Sequence, residues 1–446
     1  MSRTLRILLA CQPIPGHLNP NVALAHALLD EGHEVALYSG EKARLLAHQL
    51  DISFFPFGAE LDKQMMSFLL PENGRSDISS VAVDRRWVYR ISRLNEALKG
   101  WLIETIPGQI ADLTAILSSF QPDILVTDPT LMGPILILKE TQSVPIAVFS
   151  FLAGCSVPGP EAPPWGRGLP PPRNFVSQLR CTAEKKIVWW LTGDVRRRMN
   201  EIRRMYQLPP LSQGMAQEYS KVDLFMVTST PSFDYNRTDL PACVHYVGAC
   251  SWDSSGKEDL PEWLEALDSS RPLVHVTEGT IHTSEPLLLK AAAAGLSGLD
   301  CHVVMTTGKH RRPEELNLGS FGPNIRIEQF VPHSHLFPRT DLVITTGGAG
   351  TVTKALISGV PLIVVPTAWE LPENAQRVVE CGAGLRIEPR RCSPARLRAA
   401  VEKVLGDPSY RENAARIGHD LLKEGGPSRA VELLEKLVTE RSESRS

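Results

Sequence analysis

The segment from Asp341 to Asn374 constrains the fold of this chain more than any other stretch. Its sequence, DLVITTGGAGTVTKALISGVPLIVVPTAWELPEN, passes from a buried-strand pattern through a glycine-rich turn into a helical run, and then into a second buried strand. Where a strand, a glycine turn and a helix N-terminus meet, backbone N–H groups point outward and the helix dipole favours negative charge. The segment therefore predicts an α/β unit with a phosphate site, and a nucleotide diphosphate is the first ligand hypothesis.

Short apolar runs typical of buried strands alternate with helical patterns along nearly the whole chain. Such alternation predicts parallel sheets covered on both faces. Two series of about 200 residues each predict an α/β chain of two doubly wound, Rossmann-like domains that face a central cleft. We expect the first domain at residues 1–235, a linker at 236–260, the second domain at 261–425, and a C-terminal helix and tail at 426–446.

Charge, cysteines and hydropathy exclude several classes of protein. The 47 basic and 50 acidic residues give a formal net charge of -3, which provides no bulk attraction for nucleic acid or an anionic membrane. The basic run from Arg196 to Arg204 is interpreted as the solvated face of a helix. The eight cysteines form no CxxC pair, which argues against a zinc ribbon and suits a reducing cytoplasm. No stretch approaches the ~18 apolar residues of a membrane span, so we expect a cytoplasmic protein.

A histidine and an aspartate each follow a predicted strand of the first domain. His17 comes after the first strand, in PGHLNP, where Asn19 is expected to cap a helix that begins at Pro20. Asp128 ends the strand DILVTD. Judged by position alone, His17 is a histidine packed in a turn and Asp128 is the N-cap of a helix. The chemical alternative is a general base whose tautomer is fixed by a carboxylate on its second nitrogen.

Residues 153–172 interrupt the alternation with a run rich in proline and glycine, AGCSVPGPEAPPWGRGLPPP. No regular element accommodates so many prolines. Two interpretations stay open: an ordered surface loop, or one wall of a hydrophobic pocket that includes Trp165. The apolar region at 61–91 supports a pocket for a hydrophobic ligand.

The order of motifs resembles the signature of the family 1 glycosyltransferases, which have the GT-B fold, over essentially the whole chain. GHLNP, LPEWLEAL, VTEGT, FVP, TTGGAGT, SGVP and ELPENAQRV occur in that family's order and spacing, most like bacterial macrolide and natural-product transferases. The resemblance implies sugar transfer from a nucleotide diphosphate sugar to a small hydrophobic acceptor, with inversion at the anomeric carbon. It implies UDP first and TDP second as the nucleotide, with no cofactor, no metal and no nucleic-acid partner.

The resemblance also implies roles for individual residues. His17 would deprotonate the acceptor hydroxyl, and Asp128 would orient it. Phe151 and Trp165 are the candidates for the acceptor pocket. The helix N-terminus after the glycines would stabilise charge on the departing diphosphate. The donor-binding residues implied are Thr280, Phe330, His333, Thr346, Gly347, Gly348, Gly350, Thr351, Glu370 and Asn374.

Three donor-site positions depart from the family pattern. Thr346 stands where the family usually has histidine, Lys354 where it commonly has a glutamate that reads ribose hydroxyls, and Leu371 where it has glutamine. Lysine cannot accept a hydrogen bond, and leucine offers no amide. His282 is a candidate to replace the missing phosphate-binding histidine. These changes leave the donor sugar and the nucleotide open.

Two other functions fit the same fold. A non-hydrolysing nucleotide-sugar epimerase would convert the donor with no acceptor present. An inactive auxiliary partner of another glycosyltransferase would need no working donor site. A hydride-transfer dehydrogenase is not expected, because the first βα turn, CQPIPGH, lacks GxGxxG. The acceptor, the linkage type and the oligomeric state stay open.

Overall fold

Two parallel sheets organise the residues that the computed structural model describes, which are 3–69, 95–152, 154–252, 260–279, 285–309, 311–367 and 369–444. The first sheet has the strand order β3-β2-β1-β4-β5-β6-β7, and the second has the order β10-β9-β8-β11-β12-β13. The strands are β1 (Arg6–Ala10), β2 (Glu34–Ser39), β3 (Ser53–Pro56), β4 (Ile124–Thr127), β5 (Ile146–Ser150), β6 (Leu224–Val227), β7 (Val244–Tyr246), β8 (Leu273–Thr277), β9 (His302–Thr306), β10 (Ile325–Glu328), β11 (Leu342–Thr345), β12 (Leu362–Val364) and β13 (Gly384–Arg386).

Helices cover both faces of each sheet, as the alternating pattern predicts. Two π-helical turns, Lys99–Ile103 and Pro134–Leu138, accompany the α-helices. The described α-helices are α1 (Pro15–Asp30), α2 (Arg44–Gln49), α3 (Ala59–Leu69), α4 (Ile106–Phe120), α5 (Lys139–Thr141), α6 (Phe175–Leu191), α7 (Gly193–Met205), α8 (Met215–Glu218), α9 (Glu262–Glu265), α10 (Leu287–Leu296), α11 (His333–Leu336), α12 (Ala349–Ile357), α13 (Leu371–Glu380), α14 (Pro394–Gly406), α15 (Ser409–Lys423) and α16 (Gly426–Glu443).

The strands read as continuous apolar runs because both faces of each sheet are buried. In β1, Ile7 and Leu9 enter one hydrophobic core, while Leu8 and Ala10 enter another on the opposite face. Successive side chains of a strand point to opposite faces, so a strand covered on both sides needs apolar residues at every position. The predicted doubly wound α/β architecture is confirmed.

Both candidate sites lie at the point in each sheet where the order of the strands reverses. In the first sheet the order reverses between β1 and β4, and in the second between β8 and β11. Loops after such neighbouring strands diverge and leave a crevice at the carboxyl edge. His17 follows β1 and Asp128 follows β4, while Gly279 follows β8 and the Thr346–Gly350 turn follows β11.

The chain path differs from the expected domain division in two places. The range expected as a linker contributes β7, which pairs with β6 of the first sheet. A three-residue edge strand is too short to show a periodic pattern. The last helix, α16, returns to the first domain, where Val431 and Leu434 share a core with Leu24 and Leu28 of α1. The apolar stripe of α16 is visible in the sequence, but its partner helix is not.

Helix α1 begins at Pro15, five residues before the start that the sequence suggested at Pro20. Pro15 occupies the first helical turn, and Ile14 before it is extended, at φ -123° and ψ 147°. Either proline can begin a helix, since neither has an N–H to leave unpaired. Asn19 therefore lies inside α1 and does not cap it, and His17 lies in the first helical turn.

Candidate active site

His17 and Asp128 form a buried hydrogen-bonded pair across the reversal point of the first sheet. The Nδ1 atom of His17 lies 2.5 Å from Oδ2 of Asp128. The histidine is 9% exposed and the aspartate is fully buried. The sequence-predicted pairing of these side chains is present in the structure, although the two residues are 111 positions apart.

The Asp128 carboxylate is saturated with donors. Its Oδ1 accepts from the backbone N–H of Thr130 at 2.7 Å and from the Thr130 hydroxyl at 2.6 Å. Its Oδ2 accepts from the Gln12 backbone N–H at 3.3 Å, in addition to His17. Burial acts to raise the pKa of Asp128, but His17 and Thr130 outweigh it and hold that pKa below its ordinary value. The group is therefore a stable anion beside the imidazole.

An ionised carboxylate only accepts hydrogen bonds, so the proton of a neutral His17 must reside on Nδ1. Its Nε2 is then unprotonated and basic. When Nε2 takes a proton, the carboxylate stabilises the resulting imidazolium. The pair can act as a general base with a defined direction.

Two aromatic side chains lie beside the imidazole, and a third packs on one of them. Phe151, at the end of β5, meets the His17 ring edge-on at a centroid distance of 4.7 Å, and Trp101 lies 6.5 Å away. Trp369 of the second domain contacts Trp101 at 5.0 Å. Phe151 is where an acceptor-pocket residue was expected. Sequence reasoning missed the two tryptophans, because nothing in the sequence shows that these distant segments meet.

The segment before α13 brings an acidic side chain of the second domain towards His17. Trp369 has a left-handed backbone at φ +52°, uncommon for a bulky residue, and Glu370 follows it at the start of α13. Burial raises the pKa of Glu370, while its interaction with His17 acts to lower it. Glu370 is therefore near enough to His17 for their charges to interact, and its role toward the donor sugar stays a prediction.

The glycine turn after β11 combines one structural glycine with two open ones. Gly347 has φ +99°, and an added Cβ would lie 2.7 Å from Val364. Gly348 caps α12, and neither Gly348 nor Gly350 has any atom within 4 Å of an added Cβ. The backbone here is open to close approach by a ligand at a helix N-terminus, which suits a phosphate group. Gly279, after β8, is open in the same way.

Side chains behind the turn brace it from the protein side. The Thr346 hydroxyl donates to the Glu278 carbonyl at 3.0 Å, so its one proton is not directed at a ligand. The Asn374 amide donates to the Gly347 carbonyl at 2.8 Å. Thr351 lies partly buried in the first turn of α12. These contacts hold the backbone N–H groups of the turn in place.

The proposed nucleotide-base end of the donor site has an exposed ring. Phe330 is 40% exposed, and the Lys309 ammonium lies 4.3 Å from its centroid. His333 stacks on Phe337 at 4.3 Å and contacts His275. An exposed aromatic with a cation over it can accept a planar base. The donor-binding roles of Phe330 and His333 stay predictions.

A buried ion cluster joins the two domains beside α13. Arg377 donates to Asp234 at 2.7 and 2.9 Å and to Glu373 at 3.0 Å, and all three are fully buried or nearly so. Glu373 also accepts from the backbone N–H groups of Gly166 and Gly168. The proline- and glycine-rich loop, which carries Trp165, is therefore attached to the donor-side helix.

The three departures from the family pattern have different environments. The Lys354 ammonium donates to the Trp252 carbonyl at 3.3 Å, and Leu371 is buried at the start of α13. Neither side chain directs a donor-recognising group into the cleft. Thr280 and His282 lie outside the described residues, as does most of the 61–91 region. Among the described residues, no group of three or more potential metal ligands gathers, and no helix is long and apolar enough to cross a membrane.

Comparison with known proteins places this chain in a family. A model described as the erythromycin biosynthesis protein CIII-like C-terminal domain matches residues 290–437. The chain is 33% identical over 443 residues to 4'-demethylrebeccamycin synthase of Lentzea aerocolonigenes, covering 97% of this chain and 99% of the relative. It is 27% identical over 469 residues to aklavinone 7-beta-L-rhodosaminyltransferase of Streptomyces galilaeus, covering 98% and 96% respectively.

A solved structure shows the same architecture. The glycosyltransferase SsfS6 of Streptomyces sp. SF2575, in complex with thymidine diphosphate, superposes with a TM-score of 0.64 at 20% identity, covering 97% of this chain and 99% of that one. The GT-B fold predicted from the motif order is confirmed. The relatives are transferases, so the epimerase and inactive-partner alternatives are set aside. This chain is a member of the GT-B glycosyltransferases of natural-product biosynthesis, enzymes that transfer sugars from nucleotide sugars.

Proposed function

We propose that this glycosyltransferase inverts the anomeric carbon of its donor sugar, with His17 as the general base and Asp128 as the group that orients it. The buried contact of 2.5 Å between Nδ1 and Oδ2 carries the proposal. His17 Nε2 removes the proton from an acceptor hydroxyl as its oxygen attacks the anomeric carbon. Attack from the side opposite the departing diphosphate inverts that carbon in one displacement.

The donor is proposed to lie along the carboxyl edge of the second sheet. Phe330 would stack on the base, and the backbone N–H groups at Gly348, Gly350 and Thr351 would hold the diphosphate. The N-terminal end of α12 would stabilise charge on the leaving group. Glu370 would accept hydrogen bonds from the sugar. Because the helix N-terminus supplies the stabilisation, turnover is proposed to need no metal, and chelation with EDTA should leave it unchanged.

The nucleotide is proposed to be a uridine or thymidine diphosphate. The related structure contains thymidine diphosphate. In this chain Lys354 is bonded to the Trp252 carbonyl and offers no acceptor to ribose hydroxyls. A deoxyribose therefore loses less here than it would beside a glutamate. Titration calorimetry with UDP and TDP ranks the two directly.

The acceptor is proposed to be a hydrophobic, aromatic or polyketide-like small molecule. Trp101, Phe151 and Trp369 place apolar surface around the base. Aromatic rings pack edge-on or offset on flat apolar ligands and add to the gain from burial. Trp165 stays a proposed part of this wall on the attached loop.

The test pairs two variants with a binding measurement. His17→Ala should abolish sugar transfer, and Asp128→Asn should reduce kcat by about 10³-fold or more, because the amide no longer holds the productive tautomer. Both variants should bind UDP or TDP like the parent in calorimetry. Turnover of His17→Ala at the parental rate would overturn the mechanism. Product stereochemistry, read by NMR, tests inversion independently.

A further inference from the structure

Helix α6 presents its apolar side to solvent. Phe175, Val176, Leu179, Ile187 and Trp190 are 78%, 74%, 61%, 47% and 76% exposed. At about 100° per residue these positions fall in one arc of roughly 120° along the helix. The arc runs the length of the helix and is interrupted by one charged side chain, Lys186, whose long stem can carry its ammonium away from an apolar surface. An apolar arc of this length marks an interaction surface more than scattered exposed residues do.

The opposite side of α6, which contacts the protein, combines polar side chains with Cys181, Val188 and Leu191. Lys185 donates to the Gly159 carbonyl at 2.8 Å, and Glu184 pairs with Arg167 at 3.3 Å, both in the proline- and glycine-rich loop. Cys181 is the buried residue of this side. The helix is thus held by polar contacts with its apolar side outward, the reverse of an ordinary surface helix.

Basic side chains accompany the apolar arc. Between Arg173 and Arg204 the chain carries nine basic and three acidic residues, although acidic residues outnumber basic ones in the whole chain. Arg198 and Arg203 are used in internal ion pairs. Arg180 and Lys186 are exposed on α6 itself, and the local surface is therefore positive.

A second copy of the chain fits this surface poorly. A two-fold contact centred on α6 would bring Arg180 of one copy close to Lys186 of the other, and like charges face each other at a cost. The surface instead requires an occupant that is both apolar and acidic. We propose that α6 docks the enzyme on an anionic lipid surface, with its apolar arc in the acyl boundary and its lysine and arginine at the headgroup phosphates.

The shape of the surface favours a lipid layer over a protein groove partner. Residues on both flanks of the arc are exposed as well, Gln178, Thr182 and Trp189 on one side and Arg180 on the other, so the helix stands out as a ridge. A ridge with tryptophan, other large apolar side chains and lysine or arginine is the composition of helices that lie in the membrane interface. An open hollow at its N-terminal end is lined by Asn174, Phe175, Val176, Ser177 and Arg180, so a cationic side chain lies beside apolar ones there.

Vesicle co-sedimentation of the full chain tests the proposal. The parent should sediment with vesicles of equal phosphatidylglycerol and phosphatidylcholine, and much less with phosphatidylcholine alone. Leu179→Glu combined with Trp190→Glu should reduce the bound fraction at least about tenfold, because it removes apolar burial and adds negative charge. The matched control, Leu45→Glu with Leu422→Glu, changes two leucines that are also exposed but lie on other helices, and should bind like the parent.

A second double variant tests how much the basic side chains of α6 contribute to vesicle binding. Arg180→Gln with Lys186→Gln should weaken binding at low salt and flatten its salt dependence. Circular dichroism and turnover of a water-soluble acceptor without vesicles should match the parent in every variant. Equal sedimentation of the parent and the Leu179→Glu, Trp190→Glu variant overturns the proposal. A second result would also overturn it: the parent binds no vesicles but forms a dimer in light scattering, and the Leu179→Glu, Trp190→Glu variant does not. The partner of α6 would then be a second copy of the chain.

Discussion

The indole of Trp369 in the second domain meets the indole of Trp101 in the first at a centroid distance of 5.0 Å, and Trp101 in turn lies 6.5 Å from the ring of His17. Each tryptophan is held by an unusual piece of backbone. Trp101 lies in a π-helical turn, and Trp369 has a left-handed φ. Such conformations cluster at functional sites. The wall beside the base is therefore built by both domains.

Removal of either indole should weaken acceptor use. Trp101→Ala and Trp369→Ala should each lower kcat/KM for a hydrophobic acceptor by about tenfold to a hundredfold, because an aromatic contact of ~1.5–3 kcal/mol is lost. The affinity for nucleotide should stay unchanged in Trp101→Ala, since that residue is outside the donor domain. Steady-state kinetics against a soluble acceptor measures the change. Trp189→Ala, on the exposed surface of α6, is the control; a comparable loss there would remove the assignment.

The two neighbouring glycines of the turn should respond differently to alanine. Gly347→Ala places a Cβ 2.7 Å from Val364 in a backbone region that disfavours L residues, so the melting temperature should fall. Gly348→Ala meets no protein atom within 4 Å and should melt like the parent. It should nevertheless weaken UDP or TDP binding, because the methyl group occupies the space in front of the turn. Parental nucleotide affinity in Gly348→Ala would show that the diphosphate lies elsewhere.

The interdomain ion cluster should contribute strongly to stability. Arg377→Met leaves the carboxylates of Asp234 and Glu373 buried without their cation, and we expect a loss of about 3–5 kcal/mol in the free energy of unfolding. The exposed Arg44–Glu41 pair gives the contrast, because solvent screens such a pair and it contributes little to stability. Urea unfolding of Arg377→Met and Arg44→Gln compares them. Equal small losses would mean that the cluster is dispensable.

Replacement of Thr130 by valine should move the acid-side loss of activity to a higher pH than in the parent. The lowered pKa of Asp128 means that its ionised form stabilises the site at ordinary pH, and this contribution is lost as the pH falls through the lowered pKa. Thr130→Val removes the hydroxyl donor at 2.6 Å, so the pKa of Asp128 should rise. The acid-side loss of kcat should then begin at a higher pH, with kcat about tenfold lower at neutral pH. Thr130→Ser keeps the donor and should restore the parental pH profile.

The sequence determined the fold class and the backbone part of the donor site. Strands buried on both faces need unbroken apolar runs, and these alternate with helices in the way that parallel sheets covered by helices require. The order of the motifs then pointed to two doubly wound domains. Glycines at a strand-to-helix turn are equally local, so Gly347, Gly348 and Gly350 were identifiable from order alone. His17 and Asp128 were identifiable as strand-end residues, because parallel strands end at the same sheet edge.

Tertiary structure alone decided which distant side chains meet. The return of α16 to the first domain and the contact of Trp369 with Trp101 depend on packing between segments hundreds of residues apart. The same is true of Arg377, which resembles an ordinary helix-surface arginine until Asp234 is placed beside it. Local patterns encode which face of an element is apolar, whereas the identity of its partner is a property of the folded whole. The outward apolar side of α6 shows this most directly, because a helical stripe in the sequence predicts burial and the fold leaves it exposed.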